Sequence, residues 1–512
     1  MRDMLKKLTE ARKTAILMFV GLSACYLSLS PGSMVGQGYV GDEEMPSGLR
    51  MLAVVNAWLK GRPIPPMLWS RHGPVPVLLD LPFLKLGKMF GSPDFVLSFQ
   101  PVLLTAALLT ILYLWLRKLC SPGMSLFLTL TGAFGTMLWP YAYISLETQQ
   151  SFLVLLAGYL ALADGKLRTW PRLLLFAAVC GLAMTVKSTG IVLWPAIAYL
   201  LYVQFRGKWR LRRAQVLAVV LVIGAIWAFG AWGRNFYWVP KGGGAHSLRV
   251  WLADSAFQVF ANAIGVFGSP TKGLFVYAPV LLLSLYAVPR AFRGHRHIAI
   301  FALLVTGGTL ALICLLITPA DDVWGSRYMH VAIAPLLLCI GAAWPSFKWR
   351  RDAGLVALAA IGVAISFLGA FYYYGLQDFA ARETNQNTME WVTGDPDWNQ
   401  VVFNARLFRI WLEGGTAPVV WTPKHFWIWT PPPDAPAWKS VDLRKYCQPQ
   451  SFMVHHWRAP KSGIVLVAFL MYLGSLVVGV LLLTWVVLRT IKHQQVADAG
   501  ELAVTVNEAR AS

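Results

Sequence analysis

Apolar runs of about 20 residues recur along the whole chain, and no other feature restricts its fold as strongly. An α-helix needs ~20 apolar residues to cross the hydrocarbon core of a bilayer. The composition agrees, because 57% of the 512 residues are hydrophobic and only 13% are charged. Soluble domains are about 25% charged. The chain is therefore predicted to be an all-α polytopic membrane protein.

The apolar runs predict about twelve transmembrane helices. Their approximate bounds are 14–30, 96–116, 124–140, 149–164, 171–187, 188–205, 214–233, 273–290, 298–318, 328–345, 353–375 and 462–488. The fifth and sixth of these helices are separated only by the four residues from Lys187 to Gly190. Their division into two helices therefore rests on this short polar break.

Basic residues alternate along the chain in step with these helices. If the N-terminus is cytoplasmic, every loop expected on the cytoplasmic side is basic, as the positive-inside rule requires. These loops contain Arg117–Lys118, Lys166/Arg168/Arg172, Arg206–Arg213, Arg290–Arg296, Lys348–Arg351 and Arg489/Lys492. Topology thus accounts for the net charge of +21, and nucleic-acid binding is not indicated. We expect a multi-pass protein of the plasma (inner) membrane with both termini cytoplasmic.

Three long segments are predicted on the extracytoplasmic side: 31–95, 234–272 and 376–461. The first contains two stretches, Leu49–Trp58 and Val75–Phe90, that suit interfacial helices rather than spans. The third holds eight of the 23 tryptophans. These indicate either an aromatic belt with a small extracytoplasmic cap, or rings that stack on sugar or lipid. The resulting divisions are a transmembrane region 1–375, the loop 376–461, a last helix 462–488 and a cytoplasmic tail 489–512, irregular after about Gln494.

Charged residues outside the cytoplasmic loops are few, and the predicted topology puts those before residue 376 on one side. A charge at a helix centre costs ~2.5–3.5 kcal/mol on insertion scales. The residues are Asp42, Glu43, Glu44, Arg71, His72, Glu147, Lys187, Arg234, Asp254, Lys272, Asp321, Asp322 and Arg327. Acids and bases that separate loops bring to one interface are typical of a site between helices. Any one of them alone is equally well explained as a solvated loop charge.

Four stretches in a fixed order carry a family resemblance. They are Gly41–Glu44, Trp139–Glu147, Gly181–Lys187, and Ser269–Pro279 followed by Trp324–Tyr328. They resemble membrane glycosyltransferases of the GT-C class that take sugar from a polyprenyl-phosphate carrier. That class includes protein O-mannosyltransferases, the aminoarabinose transferases of lipid A and RgtA/B/C/D-like transferases. The resemblance covers about residues 10–345 by order and helix parity, and it does not extend to 376–461.

The resemblance implies an inverting glycosyltransferase with a GT-C-like fold. It would move a sugar from polyprenyl phosphate to a lipid, glycan or protein acceptor at the extracytoplasmic face. Asp42 would be the general base, a role that typically contributes ~10²- to 10⁴-fold. Glu43 would orient the site or hold a metal. Glu44 extends the usual acidic pair, so the identity of the base stays open, as does a divalent metal ion; no other cofactor is implied.

Cations are expected to meet the phosphate leaving group, because fixed positive charge stabilises charge that develops there. The resemblance and topology nominate Lys187 first, followed by Arg327, Lys272 and Arg234. Sugar or acceptor contacts are assigned to Glu147, Glu44, Arg71 and His72. For Lys187 the alternative is a lysine that snorkels from a helix end.

A transporter or flippase of lipid-linked sugars is the alternative function. Transporters often contain internal repeats and bind their substrates near the membrane midplane. The sequence contains no such repeat, and its charges gather at one face, which favours an enzyme. Neither a Walker loop nor a dinucleotide fingerprint is present.

Overall fold

The computed structural model of the protein describes most of the hydrophobic part of the chain. The described residues are 2–30, 74–91, 93–143, 145–163, 169–206, 213–237, 255–269, 272–315, 324–348, 351–372, 400–414, 420–421, 441–442 and 463–511. The first predicted interfacial helix, at 49–58, lies outside them.

The described residues form α-helices joined by short 3-10 turns. The helices are α1 (Arg2–Ser28), α2 (Pro74–Met89), α3 (Pro93–Leu97), α4 (Phe99–Leu116), α5 (Pro122–Phe134), α6 (Ser145–Gly158), α7 (Trp170–Thr185), α8 (Trp194–Phe205), α9 (Arg213–Tyr237), α10 (Ala256–Gly268), α11 (Leu274–Tyr277), α12 (Ser284–Gly294), α13 (Arg296–Leu315), α14 (His330–Ala343), α15 (Ala353–Phe371), α16 (Gln400–Leu412) and α17 (Gly463–Ala511). Two short antiparallel strands, β1 (Val420–Trp421) and β2 (Val441–Asp442), pair with each other.

Five helical segments of the described chain are long and apolar enough to cross a membrane. They are Phe95–Leu116, Arg213–Ala231, Arg296–Leu315, Ala353–Phe371 and Leu466–Lys492. Five shorter apolar helical segments accompany them: Pro122–Phe134, Trp170–Thr185, Thr189–Phe205, Val259–Gly268 and Arg327–Ala343. The prediction of a helical polytopic membrane protein is therefore confirmed, while the count of twelve spans stays a prediction.

Local sequence explains where several of these helices begin and end. α5 starts at Pro122, whose missing N–H costs nothing there, and the Ser121 hydroxyl caps it by accepting from Met124 N at 3.3 Å. α7 ends at Thr185, and Lys187 adopts an extended conformation before a 3-10 turn from Ser188 to Leu193. The predicted division between the fifth and sixth helices is thus confirmed.

Two predictions along the chain are wrong. The predicted span 273–290 is interrupted, because Ala278 leaves the helical region and Pro279 starts a separate 3-10 turn. Proline lacks the N–H that a continuous helix would use, and it disfavours helical geometry in the residue before it. The tail predicted to be irregular after Gln494 instead continues α17 to Ala511. The second predicted interfacial stretch, Val75–Phe90, is by contrast helical as expected and corresponds to helix α2.

The bundle has one basic end. There Lys118 donates to the carbonyl of Ala163, Ser121 N donates to the carbonyl of Pro345 at 2.7 Å, and Arg489 pairs with Glu10. Hydrogen bonds from Arg351 hold the pKa of the Asp352 carboxyl below its ordinary value at the same end. The first turns of α4, α6 and α14 and the end of α7 therefore lie at the opposite end of the bundle.

The first and last helices pack closely together. A Cβ added to Gly479 would lie 2.6 Å from Cys25 Sγ, so only glycine allows this approach of α1 and α17. Small residues let helices come close inside a membrane, where dispersion contacts rather than the hydrophobic effect hold them together. The Arg489–Glu10 ion pair then fixes their register at the basic end.

Candidate functional site

The candidate site is a buried ionic cluster of Glu147, Lys187 and Arg327 at the end of the bundle opposite the basic loops. Lys187 Nζ lies 2.7 Å from Glu147 Oε1, and Arg327 Nε donates to the same oxygen. The three residues are only 2–4% exposed. Burial costs several kcal/mol per ion, so a fold retains such a cluster only where mutual attraction and hydrogen bonds offset that cost.

Glu147 is positioned by the first turn of α6. The N-terminal turn of a helix favours a carboxylate, because the backbone dipoles leave partial positive charge there. The next residue, Thr148, donates its hydroxyl hydrogen bond to the carbonyl of Tyr141 at 2.8 Å, which ties this turn to the preceding 3-10 segment Pro140–Tyr143. Glu147 thus enters the cluster from a fixed backbone.

Lys187 is positioned by the break between α7 and α8. Its extended backbone is followed by a tight turn, in which Gly190 N donates to the carbonyl of Lys187 at 2.9 Å. A Cβ at residue 190 would collide with the carbonyl oxygen of Met184, so the turn requires glycine. The Lys187 ammonium also lies 4.7 Å from the centre of the Tyr328 ring. A lysine held this way is buried between helices, so the predicted alternative of a snorkelling side chain is wrong.

Arg327 is carried by a short strap, Trp324–Arg327, that leads into α14. Gly325 has φ +60°, a conformation that favours glycine, and a Cβ there would lie 2.6 Å from Met137 Sδ. The Trp324 ring is fully buried and packs edge-on against Tyr277 at 5.0 Å. Tyr141 donates its hydroxyl hydrogen bond to the carbonyl of Trp324 at 3.0 Å. These contacts fix the strap and hence the direction of Arg327.

A second polar layer borders the cluster. Ser151 lies one turn beyond Glu147 on α6, and its Oγ is 2.6 Å from His330 Nδ1. The His330 ring in turn lies 4.9 Å from that of Tyr141. His330 follows Arg327 by three residues, so the Ser151–His330 bond connects α6, which carries Glu147, with the start of α14, just after the strap that carries Arg327.

Helix α2 is attached to the same end by a buried carboxylate. Asp80 Oδ1 accepts hydrogen bonds from Gln100 Nε2 at 2.7 Å and from Gln149 Nε2 at 3.0 Å. All three residues are buried. Gln149 is two residues from Glu147, so α2, α4 and α6 meet beside the ionic cluster. We did not predict Asp80 as a site residue; an acid inside an otherwise apolar interfacial stretch is the signal that marks it.

The remaining predicted site residues divide into two groups. Lys272 is buried in the turn before α11. Asp42, Glu43, Glu44, Arg71 and His72 lie outside the described residues, as does the side chain of Arg234. Within the described part of the chain, no three His, Cys, Asp or Glu side chains are grouped so that they could hold a metal ion.

Substitution of Gly369 by alanine is expected to disturb the strap. A Cβ at this position of α15 would collide with the Trp324 ring, which is fully buried and has little room to move. Overpacking of this kind typically costs ~1–3 kcal/mol. We expect a lower apparent melting temperature in detergent, together with reduced activity of any reaction that uses Arg327.

Gly354→Ala is the matched control, because it lies on the same helix and no heavy atom lies within 4 Å of the added Cβ. Alanine is favoured over glycine in helices by ~0.8–1 kcal/mol, so this variant should be as stable as the wild type or slightly more stable. Equal melting temperatures for Gly369→Ala and Gly354→Ala would contradict the assigned role of Trp324.

The comparisons with known proteins give a likeness in structure but none in sequence. No family model and no curated protein matches the sequence. Among solved structures, the chain is similar to the crystal structure of ArnT from Cupriavidus metallidurans in the apo state, with 13% identity and a TM-score of 0.43. The match covers 95% of this chain and 78% of that chain. These values are too low to transfer a function, and the assignment to helical membrane proteins rests on the helices themselves.

Proposed function

We propose that the protein is a membrane glycosyltransferase that moves a sugar from a polyprenyl-phosphate donor to a lipid, glycan or protein acceptor. One observation carries the proposal: Glu147, Lys187 and Arg327, taken from three separate stretches that resemble the GT-C class, meet in one buried cluster. In sequence, Lys187 lies 40 residues after Glu147, and Arg327 lies 180 residues after it. Their convergence is what a shared site requires.

The chemistry of the cluster suits a phosphate leaving group. Transfer of the sugar breaks the bond between its anomeric carbon and a phosphate oxygen, and negative charge develops on that oxygen. Lysine and arginine are the side chains that bind phosphate most strongly, arginine through its planar fork and lysine as a point charge. In a buried site the charges of lysine and arginine are screened little, and the fold already holds them in position before the reaction. Lys187 and Arg327 are the proposed phosphate ligands.

The orientation of the protein follows from its basic end. Loops rich in lysine and arginine stay on the cytoplasmic side. The ionic cluster lies at the opposite end of the bundle, and we therefore assign the reaction to the extracytoplasmic face. Both termini are assigned to the cytoplasm, since Glu10 near the N-terminus and Arg489 near the C-terminus pair at the basic end.

Asp42→Asn is expected to abolish sugar transfer. The acceptor hydroxyl needs a base to remove its proton, and a positioned carboxylate contributes ~10²- to 10⁴-fold. Asparagine keeps the shape of the side chain but cannot take the proton. Membranes that contain equal amounts of wild type and variant would be supplied with a panel of labelled polyprenyl-phosphate sugars, and the labelled product would be counted.

Glu43→Gln and Glu44→Gln run beside Asp42→Asn in the same assay. Loss of transfer in Asp42→Asn, with transfer kept by the other two variants, identifies the base. Full transfer by Asp42→Asn together with loss in one of the others would contradict the assignment and move the role to that residue.

A further inference from the structure

Helix α16 belongs to the Trp-rich segment 376–461, which lies outside the family resemblance, yet it contacts the site. Its first residue, Gln400, is buried and accepts a hydrogen bond from Gly325 N through Oε1 at 3.3 Å. Gly325 lies two residues before Arg327 on the strap. A second polar residue of the same helix, Asn404, donates to the carbonyl of Leu368 on α15 at 3.1 Å. The helix is therefore docked against both the strap and α15.

The bond to Gly325 decides the orientation of the Gln400 amide. A backbone N–H can only donate, so the atom that faces Gly325 must be the amide oxygen. The amide nitrogen, with two hydrogens to donate, points elsewhere. It is buried, and no hydrogen-bond partner for it exists among the described residues. More than nine in ten buried polar groups have a partner, so this nitrogen needs an explanation.

Three other buried polar atoms without a partner in the described part of the chain belong to residues that lie on the strap, follow it or bond to it. They are Trp324 Nε1, His330 Nε2 and Glu147 Oε2. Trp324 belongs to the strap, His330 follows Arg327 by three residues, and the other carboxylate oxygen of Glu147 accepts from Arg327. The set contains two obligate donors, in Gln400 and Trp324, and one obligate acceptor, in Glu147.

This mixture of donors and an acceptor indicates the chemistry of the missing partner. A phosphate diester offers only acceptor oxygens, so it cannot donate a hydrogen bond to Glu147 Oε2. A hydroxyl both donates and accepts, and a ligand with several hydroxyls could satisfy Gln400 and Glu147 together. A sugar has this chemistry. An ordered water molecule has it too, and the experiment below separates the two.

We propose that Gln400 is a specificity-determining residue whose amide nitrogen donates a hydrogen bond to an oxygen of the transferred sugar. The proposal rests on the proposed function, and it adds helix α16 to the substrate site. Helix α16 would thus distinguish the sugar-bearing donor from the sugar-free carrier that remains after transfer.

The test compares two lipids on the purified full-length protein in detergent. One is a polyprenyl-phosphate sugar from the donor panel, and the other is the same polyprenyl phosphate without sugar. Gln400→Met removes the amide at similar size, and Asn404→Leu is the matched control on the same helix. Gln400→Met removes one neutral hydrogen bond to the sugar, and it also removes the acceptor of Gly325 N. Binding of the sugar-bearing lipid should therefore weaken about 3- to 10-fold more than binding of the sugar-free lipid. Asn404→Leu should change the ratio of the two dissociation constants little.

Gln400→Glu provides a second variant, since its carboxyl group can still accept from Gly325 N while the amide donor is gone. It should lose the preference for the sugar-bearing lipid as Gln400→Met does. An unchanged ratio in both variants would overturn the inference and assign the amide nitrogen to water. Equal weakening of the binding of both lipids would also overturn the inference, because Gln400 would then act only by holding the strap. If the wild type binds neither lipid of any pair, the proposed function fails, and this inference fails with it.

Discussion

Glu147→Gln should lower the stability of the fold strongly. The change removes the negative charge that faces both Lys187 and Arg327 inside the bundle. Breaking a buried ion pair on one side typically costs ~3–5 kcal/mol, because a desolvated charge loses its counter-charge. We expect a clearly lower apparent melting temperature in detergent and no measurable sugar transfer.

Glu413→Gln is the matched control for Glu147→Gln. Glu413 also forms an ion pair, with Arg409 at 2.7 Å, but both side chains are more than 40% exposed. Exposed pairs contribute ~0–1 kcal/mol, so this variant should melt close to the wild type. The double variant Glu147→Gln/Lys187→Met should recover part of the lost stability, because it removes one of the two buried cations. A Glu147→Gln protein that melts like the wild type would contradict the structural role of the cluster.

Lys187→Met should have a different effect from Glu147→Gln, because sugar transfer should be lost while the fold stays stable. Methionine retains the length and most of the volume of the side chain, and Glu147 keeps its contact with Arg327. Loss of one preorganised charge-stabilising group typically lowers kcat ~10²- to 10³-fold. We expect a decrease of this size in sugar transfer, and a melting temperature much closer to the wild type than that of Glu147→Gln.

Lys118→Met is the control for Lys187→Met, since Lys118 also lies over a tyrosine ring, at 5.3 Å from the centre of Tyr159. It is exposed, and it lies at the basic end of the bundle. Its substitution should leave transfer unchanged. Equal transfer by Lys187→Met and the wild type would remove Lys187 from the reaction and leave Arg327 as the proposed phosphate ligand.

The sequence predicted the parts of the fold that depend on local composition. Apolar runs and basic loops predicted the helical membrane class, and the polar break at Lys187 predicted the end of one helix. The interruption at Pro279 was missed because the average hydrophobicity of 273–290 outweighed a single proline. The extension of α17 beyond Gln494 was missed because the polar composition of this tail was interpreted as a sign of irregular structure.

Contacts between distant residues account for most of what was not predicted at the site. Glu147, Lys187 and Arg327 were nominated by family-like stretches, but their shared hydrogen bonds depend on how α6, α7 and α14 pack. Asp80, Gln100 and Gln149 lie on three different helices, and no local pattern connects them. The bond from Gly325 N to Gln400 spans 75 residues and ends in a segment without any family resemblance to guide the prediction. Spacing along the chain does not encode such pairs.

The fate of a labelled donor in proteoliposomes tests the central claim most directly. Purified wild-type protein would be reconstituted with polyprenyl-phosphate sugars labelled in both the lipid and the sugar, and with a membrane extract as the source of acceptor. The account predicts that sugar label moves to a new product while free polyprenyl phosphate accumulates in equal amount, and that Lys187→Met strongly slows both. A donor that crosses the bilayer with its sugar still attached, and without formation of polyprenyl phosphate, would contradict the account and identify a flippase.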